Sequence, residues 1–452
     1  MDSFDTDTKT SPVVIEDETA MRACDPDAVP GILDGMLEHR EQPLIQGEVL
    51  LAKARELVRA LESPRETMAK HLWAQVRPES PIDPSTNPYL WHKPSCLAAI
   101  TACHEIGVFQ AMANGGGQPL KVTDIAFSVG TNVHMLGRLL KHIGAMGYIK
   151  ETDADTYAPT NFSNALTLPV IGDSYLCFVK GLLPASVHFP AYLTQTNYAT
   201  PTDARSGAFQ SAFKTEKNMF EFLNAHPPLS EQFHSHMGGY RLGRPSWMDP
   251  GCYPVEERLL EGLTEVDDIL LVDIGGSLGH DLQEFAYVSS SSSHAPTDTR
   301  VSTKYPDEPG RLVLQDLPVV IDAIESLHPK IERMKYNFYT EQPVKAARAY
   351  YLHSILHDWP DEVCKTILKQ VASAMKPGYS KLLIHENIIP SKGAEWEATA
   401  LDIMMAAMLS SKERTKDEWY ALLEAPELRL KISYIWEVSG AESLIKLHKT
   451  QG

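Results

Sequence analysis

The pattern of apolar and polar positions changes along the chain, and the first part of the chain shows little regular pattern. Residues 1 to about 45 are rich in Asp, Glu, Thr and Pro and lack a clear period, so we expect a mobile tail or a loosely attached segment there. A stripe of Leu and Ala at helical spacing then predicts a helix over residues 49–61. The many prolines in residues 77–94 predict a linker or loop.

The middle of the chain has the apolar spacing of helices. This spacing predicts helices over residues 95–113, 122–127 and 132–146, and a hairpin with a polar turn over residues 148–159. Three helices followed by a hairpin make a winged helix. Residues 170–247 continue as helices that contain aromatic residues and prolines.

A winged helix can bind DNA, or it can serve only for packing and dimerisation. DNA binding would use the polar residues of its third helix, which are His134, Arg138, Lys141 and His142. We favour packing and dimerisation because the chain is strongly acidic and has no basic arm.

From about residue 246 onward, strand and helix patterns alternate. Short apolar runs at residues 269–274, 311–315, 349–352 and 381–385 are typical of strands that are buried on both faces. Two closing strands, at residues 430–436 and 444–448, predict an antiparallel hairpin at the edge of the sheet. The fold class is therefore α/β.

A glycine turn between the first of these strands and its helix is the strongest local feature. Asp273 lies at the end of the buried strand, where a carboxylate needs a partner, and Gly275, Gly276 and Gly279 follow it. Glycines allow a tight turn and a close approach of a ligand to the backbone. The second strand ends in Asp316, an acidic residue at the position that accepts both ribose hydroxyls in nucleotide-binding sheets. The pair predicts an adenosyl or dinucleotide cofactor.

Three polar residues follow strands or helices of the same region and predict acid–base chemistry. His357 comes a few residues after the 349–352 strand, Glu386 closes the 381–385 strand, and Glu413 follows a later helix. Ligands of an open parallel sheet bind beyond the carboxyl ends of its strands. A histidine beside carboxylates is a plausible general base, although a histidine before Asp-Trp-Pro can also simply begin the next helix. We expect Asp358 to cap a helix or turn and to take no part in the chemistry.

Composition and charge narrow the classes of protein. The 452 residues are 43% apolar, which supports two or three domains with full cores, and the net charge of −18 argues against nucleic acid or an anionic membrane as a partner. The six scattered cysteines show no metal-ligand spacing, so we expect reduced thiols and no metal site. The polar start of the chain is not a signal peptide, and no apolar run approaches the ~20 residues of a membrane span. We therefore expect a cytoplasmic protein, with the Ser-rich residues 287–304 as an exposed insertion.

Several motifs in a fixed order resemble those of the class I S-adenosylmethionine-dependent O-methyltransferases. They are IGGSLGH, LQDLP, YYLHSILHDWPDE, IHENIIP, DIMM and KERT. The segment RLGRPSWMDP and the overall layout are most similar to the fungal secondary-metabolite branch of that family, and the resemblance covers roughly residues 70 to 450.

The resemblance implies an architecture and a cofactor. It implies residues 1–70 as a tail and helix, residues 71–245 as a winged-helix dimerisation and substrate domain, and residues 246–452 as a Rossmann-like catalytic domain that binds S-adenosylmethionine. The protein would be a homodimer that methylates a hydroxyl of a small aromatic, polyketide or alkaloid compound.

The resemblance also assigns site residues by position. His357 would be the base, with Glu386 and Glu413 flanking it. The cofactor would contact Asp273, Gly275, Gly276, Gly279, Asp316, Asn337, Phe338 and His353. The substrate would contact Phe233, Met237, Asp402 and Met405. Met405 belongs to a Met-rich helical stripe that can equally be core, and Phe233 and Met237 share a helix face that can be core too.

The sequence departs from the family at three cofactor positions and therefore leaves other functions open. Ser277 replaces a central glycine, Asn337 stands where many members have an acid, and His353 stands where many have Lys or Arg. Some relatives keep the fold and the cofactor but catalyse pericyclic reactions, in which the pocket polarises a carbonyl. That is the alternative enzyme hypothesis, and a DNA-binding regulator is the alternative outside enzymes.

Overall fold

The computed structural model describes residues 15–37, 47–72, 92–241, 244–249, 251–261, 263, 268–286, 310–439 and 442–451. Most of the expected linker at 77–94 and the Ser-rich insertion at 287–304 lie outside these residues. The chain divides into two compact units. The helical unit comprises Met1–Leu183 and Leu223–Gly243, and the sheet unit comprises Pro184–Phe222 and Arg244–Gly452.

Helices and strands follow one another in the order that gives them their labels. The helices are α1 (Val29–Leu37), α2 (Gly47–Leu61), α3 (Pro64–Leu72), α4 (His92–Glu105), α5 (Val108–Asn114), α6 (Val122–Val129), α7 (Val133–Ala145), α8 (Asn161–Ala165), α9 (Pro169–Cys177), α10 (Leu183–Gln195), α11 (Ala208–Phe213), α12 (Met219–Asn224), α13 (Leu229–Arg241), α14 (His280–Ala286), α15 (Pro318–Ala323), α16 (Asp361–Ala374), α17 (Trp396–Leu409) and α18 (Lys416–Leu423). The strands are β1 (Leu120–Lys121), β2 (Lys150–Asp153), β3 (Thr156–Ala158), β4 (Ile269–Ile274), β5 (Arg311–Asp316), β6 (Ile331–Lys335), β7 (Ala349–His353), β8 (Lys381–Ile389), β9 (Arg414–Thr415), β10 (Leu430–Ser439) and β11 (Glu442–Lys449).

Residues 15–37 are attached to the helical unit, so the expectation of a loosely attached segment is wrong for this part of the chain. The side-chain amide of Asn161 donates to the carbonyl of Thr19 at 3.0 Å. The backbone N–H of Cys24 donates to the carbonyl of Glu62 at 2.9 Å. Hydrogen bonds to the backbone leave no apolar period in the sequence, which explains why the pattern did not reveal this attachment.

The predicted helices and hairpin of the helical unit are present with small changes. The single helix expected at 95–113 is two helices, α4 and α5, separated by Gly107 in the left-handed region (φ 81°). Asn132 caps α7 by accepting from the backbone N–H of Met135 at 3.0 Å. Strands β2 and β3 pair antiparallel, and β1 joins them. The Lys141 ammonium on α7 is ion-paired with Glu151 on β2.

One continuous helical stretch, Pro169–Gln195, is long and apolar enough to cross a membrane by length and composition alone. The expectation that no apolar run approaches such a length was therefore wrong. Half of the most apolar part of this stretch is buried in the structure, and core helices pass the same test of length and composition.

The sheet unit is built on one mostly parallel sheet. Its strand order is β10-β11-β8-β7-β4-β5-β6, and β9 pairs with the end of β8. The pairs from β8 to β6 are parallel, whereas β11 is antiparallel to both β8 and β10. Strand β6 was not identified in the sequence, because its residues alternate between buried and exposed instead of forming an apolar run.

The core of the sheet unit covers both faces of the sheet. Val272, Tyr350 and Leu382 contribute to the apolar cluster on one face. Their neighbours Leu271, Tyr351 and Leu383 contribute to the cluster on the other face. Burial on both faces explains the continuous apolar runs in the sequence. The parallel pairing of β4, β5, β7 and β8 brings their carboxyl ends to one edge of the sheet.

Candidate active site

The glycine turn that follows β4 has no room for side chains. Gly275 and Gly279 have φ angles of 77° and 79°, a region that favours glycine. A Cβ on Gly276 would lie 2.6 Å from Leu314 Cδ1 and would also collide with the buried carboxylate of Asp273. The glycines therefore let the turn pack closely against Asp273, Leu314 and Ile355.

Asp316 ends β5 beside the same turn. One of its carboxylate oxygens accepts from the backbone N–H of Ser277 at 2.9 Å, and the other accepts from that of Leu317 at 2.7 Å. Burial raises the pKa of the Asp316 carboxyl, while these two backbone bonds act to lower it. Each oxygen keeps a further lone pair for a ligand hydroxyl. Ser277 itself has φ 51°, so this chain tolerates the left-handed geometry without a glycine.

The glycine turn packs directly against the segment that carries His357. A Cβ on Gly275 would lie 2.6 Å from Ile355 Cδ1, so only a glycine fits beneath that side chain. His357 follows two residues later in a short 3-10 turn, Leu356–Asp358. The structure therefore brings together the predicted cofactor turn and the predicted base, because β4 and β7 are neighbours in the sheet.

His357 lies in a buried ring of carboxylates. Its Nδ1 atom is 2.6 Å from Glu413 Oε1 and 3.9 Å from Glu386 Oε2. Its Nε2 atom is 3.5 Å from Asp358 Oδ1. Asp358 was expected only to cap a turn, and the structure instead places its carboxylate beside the ring nitrogen that Glu413 leaves available.

Glu386 forms hydrogen bonds with the backbone of the segment that carries His357. Its Oε1 atom accepts from the backbone N–H groups of Ile355 at 2.9 Å and Leu356 at 2.7 Å. Its Oε2 atom makes no hydrogen bond among the described residues. Glu386 therefore fixes the backbone that presents the imidazole.

Glu413 is placed by a short strand that the sequence did not predict. Strand β9 begins at the next residue, Arg414, which pairs with Ile388 at the end of β8. The backbone N–H of Glu413 also donates to Asp402 Oδ1 at 2.9 Å. Asp402, a residue that the resemblance places against substrate, thus bonds to the backbone of the residue that contacts His357 Nδ1.

Arg414 is a functional residue that the sequence reasoning missed. Its guanidinium is fully buried and donates to the carbonyls of Leu356 and Trp359, each at 2.9 Å. It also bonds to Asp361 Oδ1 at 2.8 Å and lies over the Trp419 ring at 5.1 Å. These contacts clamp the whole segment that carries His357. The KERT motif was the available signal, because a charged residue in a strand needs buried partners.

The carboxylates around His357 change its acid strength. Burial lowers the pKa of the imidazole, but Glu413, Glu386 and Asp358 together outweigh burial and raise it to about 10. Burial raises the pKa of Asp358 to about 7 and also raises that of Glu386. The imidazole is therefore cationic at neutral pH and is stabilised as imidazolium by its neighbours.

The three residues could also hold a cation. One ligand atom from each of His357, Glu386 and Glu413 lies within 4.8 Å of the others. The sequence gave no expectation of a metal here, because these residues are far apart in the chain. In the structure Nδ1 of His357 is in hydrogen-bonding contact with Glu413, so a metal at that atom would displace a short, buried hydrogen bond.

The remaining predicted cofactor residues occupy two places. Phe338 packs against Tyr339 and Trp359, with ring centroids 5.0 and 6.0 Å apart, and offers an aromatic surface for a flat group. The Asn337 side chain accepts from the backbone N–H of Tyr339 at 3.0 Å. His353 pairs with Asp281, 2.9 Å from Nδ1 to Oδ2.

Burial differs among the predicted substrate residues. Met405 is buried on α17, together with Met404 and Met408. Phe233 and Met237 are half-buried on α13 of the helical unit.

Comparison with known proteins agrees with this site. Residues 295–427 match the model of an O-methyltransferase domain. The chain is 33% identical over 372 residues to the O-methyltransferase asqD of Emericella nidulans, covering 82% of this chain and 91% of that protein. It is 33% identical over 348 residues to demethylsterigmatocystin 6-O-methyltransferase of Aspergillus parasiticus, covering 76% and 83% of the two chains.

Solved structures are similar over nearly the whole chain. The complex of LepI with S-adenosylmethionine has a TM-score of 0.70 and 26% identity, and the match covers 94% of this chain and 99% of that one. OxaC in complex with S-adenosylhomocysteine and oxaline has a TM-score of 0.71 and 25% identity, with the same coverage. A structure described as a pericyclic reaction enzyme matches with a TM-score of 0.70 and 26% identity.

The chain belongs to the S-adenosylmethionine-dependent O-methyltransferase family, among relatives from fungi. It is an O-methyltransferase with S-adenosylmethionine as its cofactor. The mixed α/β architecture with a central sheet agrees with this family.

Proposed function

We propose that the protein transfers a methyl group from S-adenosylmethionine to a hydroxyl of a small secondary metabolite, with His357 as the general base. The observation that carries this proposal is the 2.6 Å contact between His357 Nδ1 and Glu413 Oε1, in a segment that packs against Gly275. The Glu413 carboxylate accepts a hydrogen bond from the N–H at Nδ1. This bond orients the ring so that Nε2 is the atom that takes the hydroxyl proton.

The raised pKa changes the energetics of that proton transfer. A phenol of pKa ~10 facing an ordinary histidine of pKa ~6.5 would transfer its proton uphill by about 5 kcal/mol. With the His357 pKa near 10, the transfer is close to balanced. The free-energy cost then lies in an earlier step, the deprotonation of the imidazolium. At pH 7 this step costs about 4 kcal/mol. A hydroxyl that arrives already ionised avoids this cost and pairs with the imidazolium.

The residues of the glycine turn fit the cofactor. Gly275 and Gly279 allow the tight turn after β4 with positive φ angles, and Asp316 keeps acceptor capacity for two ribose hydroxyls. The sulfonium cofactor supplies an electrophilic methyl group when bound. Carboxyl groups of Glu386, Glu413 and Asp358 surround the imidazole, and their ionised forms would stabilise a positively charged neighbour.

The substrate is best described by class. Buried methionines on α17 and the half-buried Phe233 and Met237 suit a flat, apolar molecule. OxaC was solved with oxaline and with meleagrin, and a relative from Aspergillus parasiticus acts on demethylsterigmatocystin. We propose a hydroxylated aromatic, polyketide or alkaloid compound as the acceptor, with Phe233, Met237, Asp402 and Met405 near it.

A pericyclic reaction without methyl transfer is the second candidate. The carboxyl groups around His357, which raise its pKa, favour it, since an imidazolium can donate a hydrogen bond to a carbonyl and polarise it. The similarity to LepI and to a pericyclic reaction enzyme adds support.

Product mass separates the two candidates. The purified protein would be incubated with S-adenosylmethionine that carries a deuterated methyl group and with an extract of metabolites from its own source, in the presence and absence of a chelator. Methyl transfer predicts products that gain one labelled methyl group, whether or not the chelator is present. A product of unchanged mass would support the pericyclic reaction, and loss of activity with the chelator would indicate that the three ligand atoms hold a metal.

For the helical unit we propose a winged-helix dimerisation domain in a cytoplasmic homodimer. The succession of α6, α7 and the β2–β3 hairpin supports this proposal, and so does the exposure of Phe127 and Met135 at its surface. Light scattering on the full chain should give the mass of a dimer. Salt-sensitive binding to duplex DNA would instead support the regulator hypothesis.

A further inference from the structure

Four cations meet at the amino end of β8, at the opposite end of that strand from Glu386. Lys381 is the first residue of β8 and lies five residues before Glu386, about 16 Å along the strand. Lys446 on β11 pairs with Leu383. Because Lys381 and Leu383 are two residues apart, Lys381 and Lys446 project from the same face of the sheet.

Two arginines complete this cationic cluster. Arg348 precedes β7, and its backbone carbonyl accepts from the N–H of Lys381 at 2.9 Å. Its guanidinium donates to the carbonyl of Leu259 at 2.8 Å and to that of Glu261, so its donors meet neutral groups. Arg258 is exposed on the π-helical turn that ends at Leu260.

The cluster has no carboxylate partner in the part of the chain that the structure describes. Among the described residues, no ion pair involves Lys381, Lys446, Arg258 or Arg348, although many exposed lysines and arginines of this acidic chain form one. Burial together with the nearby cations lowers the pKa of Lys381 to about 7 and also lowers that of Lys446. Like charges held together without a counter-charge are unfavourable, and a bound anion would relieve this repulsion.

A buried hydroxyl provides a second, independent sign of a ligand. Tyr253 is 2% exposed, and its OH makes no hydrogen bond among the described residues. The ring is held by Trp247 and Trp436, at centroid distances of 5.7 and 5.0 Å, and the charges of Arg258 and Arg348 both act on the hydroxyl. A buried hydroxyl without a partner is costly, so a ligand oxygen that accepts from it would be stabilising.

We propose that Lys381, Lys446, Arg258 and Tyr253 form a binding site for a small oxyanion, such as a phosphate or carboxylate group. Arg348 adds positive charge while it holds the adjacent turn. The site is remote from the methyl-transfer residues and does not depend on the proposed function. The anion could be free inorganic phosphate or the acidic group of a metabolite, since the same charged oxygens would be recognised.

Chemical labelling of Lys381 tests the proposal. The full-length protein at pH 7 would be pulsed with acetic anhydride in chloride, inorganic phosphate or succinate at equal ionic strength, and acetylation of each lysine would be read by peptide mass spectrometry. In chloride, the low pKa of Lys381 should make it react about tenfold faster than exposed lysines or more. Phosphate or succinate should slow its labelling by about tenfold, because a bound anion restores the ordinary lysine pKa.

Two variants and a control distinguish a built site from general salt effects. Lys446→Gln should weaken the protection at least tenfold, and Tyr253→Phe should abolish the rise in Tm with added phosphate while leaving the Tm in chloride unchanged or higher. Lys431→Gln is the matched control, because Lys431 lies on the same hairpin but is paired with Glu424. The proposal is overturned if neither anion protects Lys381 more than chloride does, or if protection is the same in all three variants. Protection by succinate alone would assign the site to carboxylates, and protection by phosphate alone would assign it to phosphates.

Discussion

Nδ1 of His357 and Oε1 of Glu413 lie 2.6 Å apart, and both side chains are almost completely buried. Fifty-six positions separate them in the chain. The short strand β9 and the backbone bond from Glu413 to Asp402 bring them together. This contact orients the imidazole and makes it a stronger base than a free histidine.

Replacing Glu413 with glutamine should slow catalysis without much effect on substrate binding. Glutamine keeps the size of the side chain but cannot stabilise the imidazolium, so kcat should fall about a hundredfold while KM changes little. Steady-state kinetics with a responsive acceptor measures both. The matched control is Glu427→Gln at an exposed position, which should retain the activity of the unmodified protein. A kcat within threefold in the Glu413 variant would argue against a role in proton transfer.

The pH dependence of activity should reflect the raised pKa of His357. Glu413, Glu386 and Asp358 outweigh burial and hold that pKa near 10. The base acts as neutral imidazole, so kcat/KM for an acceptor whose hydroxyl stays protonated should rise with pH well beyond 6.5, with an inflection at alkaline pH. In Glu413→Gln the inflection should move to lower pH. A plateau that is already complete at pH 7 in the unmodified protein would contradict the electrostatic account.

Arg414→Met should destabilise the sheet unit. The substitution keeps an unbranched apolar side chain but removes the guanidinium that donates to the carbonyls of Leu356 and Trp359 and pairs with Asp361. Hydrogen bonds to a charged group contribute about 1.5–3 kcal/mol each, so the loss of two such bonds should lower the Tm by roughly 10 °C. Thermal unfolding followed by circular dichroism measures it. Arg429→Lys, at an exposed residue, is the control, and an unchanged Tm in Arg414→Met would show that the clamp contributes little.

Gly276→Ala should remove cofactor binding before it unfolds the protein. The added Cβ would meet Asp273 and Leu314, and relieving that overlap costs about 1–3 kcal/mol. Titration calorimetry with S-adenosylhomocysteine should show a loss of affinity of tenfold or more. Gly137→Ala is the control, because a Cβ there makes only an ordinary contact of 3.7 Å with Val122. Unchanged affinity in Gly276→Ala would mean that the ligand does not use this turn.

The sequence predicted those elements of the site that depend only on residues close together in the chain. The apolar run of β4 and the glycines that follow it identify a strand and a tight turn, because both depend on neighbouring residues. The order of the motifs then identified His357, Glu386 and Glu413 as candidate catalytic residues. The structure places the carboxyl groups of Glu386 and Glu413 beside the His357 imidazole.

Other features depend on contacts between distant residues and leave no local pattern. Arg414 acts through carbonyls some fifty residues away, and Asp358 faces His357 only because of the turn geometry. Strand β6 alternates in burial at the edge of the sheet, so it lacks the apolar run that identified its neighbours. Tyr253 and Lys381 are related only through Arg348, whose charge acts on both side chains, and no spacing in the sequence connects them.

The role of His357 as general base is the central claim, and one variant tests it most directly. His357→Gln removes the basic nitrogen and retains a polar side chain of similar size. Transfer of a deuterated methyl group should fall by at least about a hundredfold, as expected when a general base is lost. Affinity for S-adenosylhomocysteine should stay within about threefold, since the glycine turn is intact. Methyl transfer by His357→Gln at the rate of the unmodified protein, with normal affinity, would contradict the account.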